Sequence, residues 1–99
     1  MQNVAALLDF ARSAASNRDA LALVEITKQM ARASDGHSLG LRISFFPMHR
    51  LVGAANGLAH HADRMTECEI GDAWSRVDSI LRPGSDLEER VAYMMRKAA

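Results

Sequence analysis

Few side chains in this sequence have the type and spacing to do chemistry. His60 and His61 are adjacent, and on a helix adjacent residues diverge by about 100°, so they do not converge on one ion. Asp63 follows His60 by three and completes at most a two-ligand fragment, short of the three or four protein ligands that a zinc site uses. Cys68 is the only cysteine and stands between Glu67 and Glu69. Neighbouring carboxylates disfavour the thiolate that a nucleophile needs, so Cys68 reads as a structural residue at a helix start. The paired carboxylates of the chain fall at helix starts, where capping explains them, and no Gly-rich phosphate loop occurs. The expectation is a protein that is not an enzyme and uses no metal or cofactor.

A second set of residues could do recognition instead. A helix is expected over residues 47–65, with Pro47 in its first turn. Met48, Leu51, Val52, Ala55, Leu58, Ala59, Ala62 and Met65 recur at steps of three and four and form its apolar stripe. His49, Arg50, Gly53, Asn56, Gly57, His60 and Arg64 make the other side, and these seven are the candidate partner-binding face. Gly53 and Gly57 each cost about 0.5–1 kcal/mol against Ala in a helix interior. Either a second backbone crosses closely there, within the fold or across a dimer, or packing simply tolerates them. A membrane-spanning GxxxG pair is excluded, because His49, Arg50, His60, His61 and Arg64 interrupt the segment.

Charge is unevenly spread along the chain. Residues 36–62 contain no Asp or Glu and hold all four histidines, His37, His49, His60 and His61, with Arg42 and Arg50. Residues 63–89 then carry eight of the twelve acids. If the histidines stay solvated, the acid-free span gains positive charge as pH falls. Chance alone could leave such a run, with the histidines filling polar positions. The functional reading is a surface that accepts an acidic patch on a partner, including the chain's own acidic helices in a second copy.

The elements that must position these residues read as helices. Val4, Leu7, Leu8, Ala11, Ala14 and Ala15 form a first stripe with Phe10 at its edge, expected to seal a neighbouring helix or a partner. Ser16 with Asp19 matches a cap pattern. A second helix follows with Ala20, Leu21, Val24, Thr27, Met30 and Ala31 on one face and Glu25 and Lys28 paired on its solvated side, giving an antiparallel hairpin. Gly36 is placed to end it. Leu39, Leu41, Ile43 and Phe45 alternate with Gly40, Arg42, Ser44 and Phe46, a strand periodicity with no second strand to pair with. Residues 39–46 are therefore a short helix, a connector or a strand paired with its own copy. A helix is expected to stop at Phe46, before Pro47. Thr66 with Glu69, and Ser85 with Glu88, match capping boxes. The first precedes a stripe of Ile70, Ala73, Trp74, Val77, Ile80 and Leu81, with Trp74 as a core anchor. Pro83 and Gly84 end that helix, and Leu87, Val91, Met94, Met95 and Ala98 mark the last.

Together these give an all-α, compact four- or five-helix bundle, a single helical domain over residues 1–99. Twelve basic and twelve acidic residues leave no net charge, hence no global field to gather nucleic acid. The N-terminus lacks a secretory pattern, no long apolar run spans a membrane, and the lone cysteine suits a reducing, cytoplasmic setting. Arginine outnumbers lysine ten to two, a compositional hint at a bacterial or phage source. The function expected is a small interaction module, a regulator, inhibitor or adaptor that binds another protein and forms a homodimer. The alternative is a small dimeric DNA-binding regulator, with His49, Arg50, Asn56, His60 and Arg64 in a groove, or Arg42 and Ser44 on a paired ribbon. The acidic run after Met65 would meet phosphates badly.

Overall fold

The computed structural model describes residues 3–35 and 46–98. Within them the chain forms α1 (Val4–Ser16), α2 (Ala20–Asp35), α3 (Phe46–His60), a 3-10 turn (Ala62–Arg64), α4 (Glu67–Leu81) and α5 (Asp86–Ala98), and no strand. The all-α bundle follows the apolar periodicity. Expectations placed on residues 36–45, including the alternating run, the Gly36 cap and His37, lie outside the described residues.

Helix α1 starts where the Asn3 side chain accepts from the Ala5 and Ala6 amides, at 3.0 and 3.4 Å. Its six stripe residues are all buried, as their spacing requires. It ends in a Schellman motif, with the Arg18 amide donating to Ala15 O and the Asp19 amide to Ala14 O, 3.0 and 2.9 Å. Arg18 takes the left-handed conformation that usually falls to glycine there, with φ 52°. The sequence placed the next cap at Ser16. The cap is Asp19, whose Oδ1 accepts from the Ala22 amide at 3.1 Å, because residues 17 and 18 are consumed in ending α1.

On α2 the core side chains are Leu23, Val24, Thr27 and Met30, whereas Leu21 is 62 % exposed. Leu21 lies roughly 120° around the helix from Thr27 at ~100° per residue, outside the arc that faces the core. Leu23 fits that arc and is fully buried. The buried Thr27 hydroxyl donates to Val24 O at 3.0 Å, so the core carries no orphan there. Glu25 and Lys28 do approach on the solvated side, at 3.9 Å.

Helix α3 begins at Phe46, one residue before the expected Pro47, and proline in its first turn forfeits no hydrogen bond. The helix expected to stop at Phe46 would run through residues 39–45, which lie outside the described ones. It is shorter than expected at its other end. The His61 amide closes the last α-type bond to Gly57 O at 2.8 Å, and Arg64 and Met65 then bond back only three residues. Met65 turns extended to deliver Thr66 as the α4 cap. Thr66 and Glu69 form the full reciprocal box, at 2.9 and 3.1 Å. On α4, Ala73, Val77 and Leu81 are buried, while Ile70, Trp74 and Ile80 pack half-buried at the core edge. Arg82 is extended, as a residue before proline prefers, and ends the helix. Leu87, Val91 and Met94 bury α5, but Met95 is exposed.

The contacts run α1–α2–α3–α4 and return from α4 to α1, so four helices enclose one core, and α5 closes it against α1, α4 and α3. Two arginines hold the closure. Arg12 on α1 donates to Leu81 O at 2.6 Å and to Arg82 O at 3.4 Å, and pairs with Glu88 on α5. It thereby supplies the carbonyls left open at the end of α4. Arg18 makes a two-pronged pair with Asp78, at 2.9 and 3.0 Å, and its guanidinium lies 4.9 Å over the Trp74 ring. Trp74 thus sits between core and surface, with a cation on its outer side.

Candidate interaction surface on helix α3

Six of the seven candidate residues share one side of α3. His49, Arg50, Gly53 and His60 are exposed, and Asn56 and Gly57 half-buried. Met48, Leu51, Ala54, Ala55 and Leu58 point the other way into the core. The seventh, Arg64, is exposed but lies on the 3-10 turn beyond the helix end, so its spacing from His60 no longer places it on the same face.

The two glycines are not packed within the fold. Among the described residues a Cβ at Gly53 or Gly57 would meet nothing within 4 Å, so none of the described helices makes the close backbone crossing there. Both instead line a shallow open groove of about 300 Å³ between α3 and α4, with Ala54, Ala73 and Met65. The opposite wall carries Glu69, Asp72 and Arg76. The span that lacks acids in sequence therefore faces acids in space. Arg50 borders a neighbouring cleft, beside Ser79, Arg82 and Asp86 at the α4–α5 corner.

Some of the bundle's cations are bound into the scaffold and others are not. Arg12, Arg18 and Arg90 are engaged with Glu88, Asp78 and Asp86. His49, Arg50, His60, Arg64 and Arg76 have no hydrogen-bonding or ionic partner among the described residues. Of these, Arg76 lines the groove, and His49, Arg50 and His60 are exposed along α3 beside it; Arg32, His61 and Arg82 also carry no such pair among the described residues.

The carboxylates with perturbed acidity belong to the scaffold. Glu69 is held below the usual range by the Thr66 amide and then the Thr66 hydroxyl. Glu88 is lowered first by Arg12 and then by the Gly84 amide, which donates to it at 3.1 Å. This is a variant of the expected box: Ser85 Oγ accepts from the Glu88 amide at 3.2 Å, but Glu88 reaches back to Gly84 and not to Ser85. Cys68 is exposed and free. Among the described residues no three His, Cys, Asp or Glu side chains gather to hold a metal, and no helix is long and apolar enough to cross a membrane.

Nothing in the sequence ties Asp72 or Arg76 to the α3 face; Asp72 reads there as an acid near the start of α4, suited to the helix dipole. Their spacing along α4 marks them only as solvated positions, and their place beside the glycines comes from the α3–α4 pairing. No family profile, curated protein or solved structure matches the chain.

Proposed function

We propose that this chain is a protein–protein interaction module, a regulator, inhibitor or adaptor that acts by occupying a partner's surface with the outward face of α3. The observation that supports this most is the open glycine groove: two helix-interior glycines with free space above them among the described residues, and exposed His49, Arg50 and His60 along the same helix. A helix that kept glycine for packing inside its own fold would show a neighbour against it. A flat backbone under open space suits the close approach of another chain, and the acid-free α3 side suits an acidic patch on it.

A tagged pull-down from the native host's lysate, with and without nuclease, tests the reading. A stoichiometric protein partner that survives nuclease, and is lost with Gly57→Leu plus His60→Glu, is the expected result. Retention of that partner by the double variant would remove α3 from the interface. Co-purifying nucleic acid, with affinity falling steeply as salt rises, would replace the module by a DNA-binding regulator.

A further inference from the structure

We propose that the α3–α4 groove is closed by the same groove of a second copy of this chain, in an antiparallel twofold crossing centred between Gly53 and Gly57. The inference rests on reading the α3 face as an interaction surface and names its occupant.

The charges of the groove are self-complementary. Along α3, outside the groove lining, Arg50, His49 and His60 are exposed, and this side carries no acid. The groove's α4 wall offers Glu69 and Asp72, with Arg76 one turn beyond Asp72. Asp63 and Arg64 on the intervening turn offset one another. A patch that holds both partners of its own ion pairs suits an isologous interface, where the same surface meets itself.

Connectivity selects the direction. Helix α3 ends at His60 and α4 begins at Glu67, so the two acids lie beside the C-terminal half of α3, and Arg76 lies further back towards its N-terminus. A twofold axis through the glycines exchanges the ends of α3. It carries Arg50 of one copy over Glu69 and Asp72 of the other. A parallel crossing would set Arg50 against Arg76, like charge on like. The open glycines let the two α3 backbones approach, and Met65, Ala54 and Ala73 supply apolar surface beneath them.

Sedimentation equilibrium of the full chain tests this with a charge exchange. Arg50 and Asp72 have no partner among the described residues, so each can be reversed without breaking the scaffold. The wild-type chain is expected to dimerise. Arg50→Glu and Asp72→Arg should each weaken the dimer by at least about tenfold through like-charge juxtaposition. Both should keep the helical circular dichroism and melting of the parent. An equimolar mixture of the two variants should recover the dimer. One of its two contacts is then the native pairing of Arg50 with Asp72, and the other is the same pairing with the charges exchanged. A monomeric wild-type chain, or a dimer indifferent to both variants, overturns the proposal. If the chain is monomeric yet Gly57→Leu abolishes capture of a foreign protein, self-pairing fails while the interaction-module reading stands.

Discussion

Arg12 is the residue on which the closure of the bundle most depends. It joins α1 to the end of α4 and the start of α5, over separations of 69 to 76 residues. Arg12→Ala leaves the Leu81 carbonyl without its charged donor and should lower stability by about 1–2 kcal/mol in urea titration. Arg12→Lys should recover only part, since an ammonium does not span two carbonyls and a carboxylate as the guanidinium fork does. Glu88 and Glu69 set the acid side of the stability profile. Both are lowered in the folded chain, so the stability they contribute is present above the unfolded carboxylate range and is lost as pH falls through the folded values. The urea midpoint should hold steady near neutrality and decline below roughly pH 4.5. In Glu88→Gln the neutral plateau should be lower and the acid decline smaller. An unchanged decline would mean that Glu88 is not held by Arg12 in solution. None of this was legible beforehand: Arg12 reads as one more polar residue on an amphipathic helix, and its partners stand at the far end of the chain.

At the scale of elements, local pattern carried much further. The α1 stripe, the Thr66 box and the Pro83–Gly84 stop are all as the residues imply, because each depends on neighbours three or four positions away. Thr66→Ala should cost about 1 kcal/mol in thermal or chemical unfolding, the usual loss for a side-chain cap. Helix α2 is where pattern misled. The stripe read from the sequence runs through Leu21, but Leu23 is the leucine within about 40° of Thr27 around the helix, and it is the one that packs into the core. Leu23→Ala should destabilise by about 2–5 kcal/mol, whereas Leu21→Ala should stay within about 0.5 kcal/mol. Equal effects would show that α2 is rotated in solution relative to this packing. The end of α3 was misplaced for a related reason. The apolar residues Ala62 and Met65 keep the helical spacing, but the chain must turn there to deliver Thr66, so Arg64 leaves the α3 face.

For the whole molecule, the glycines of α3 set stability against association. With open space at both positions, Gly53→Ala and Gly57→Ala should each raise the stability of the isolated chain by about 0.5–1 kcal/mol. The measurement belongs in the Arg50→Glu background, where pairing is not expected to contribute. A loss of stability there would reveal a neighbour at α3. A gain would mean that the fold itself has no need of glycine at either site. Phe10, 60 % exposed, does not seal a neighbouring helix, and together with Leu21 it leaves apolar surface on the α1–α2 side of the bundle.

From residue order alone came the helical class, most of the buried stripes, the Thr66 cap and the grouping of His49, Arg50, Gly53, Asn56, Gly57 and His60 on one side of a helix. These are properties of a 3.6-residue period and of contacts within one turn, and they need no knowledge of the rest of the chain. Tertiary structure alone decided that Glu69, Asp72 and Arg76 stand across from the glycines, that no described residue covers them, and that Arg12 and Arg18 are bound into the scaffold while Arg50 and Arg64 have no partner among the described residues. Those facts depend on which helix faces lie side by side once the core has closed. That choice belongs to the joint packing of all the stripes and is not encoded in any single one.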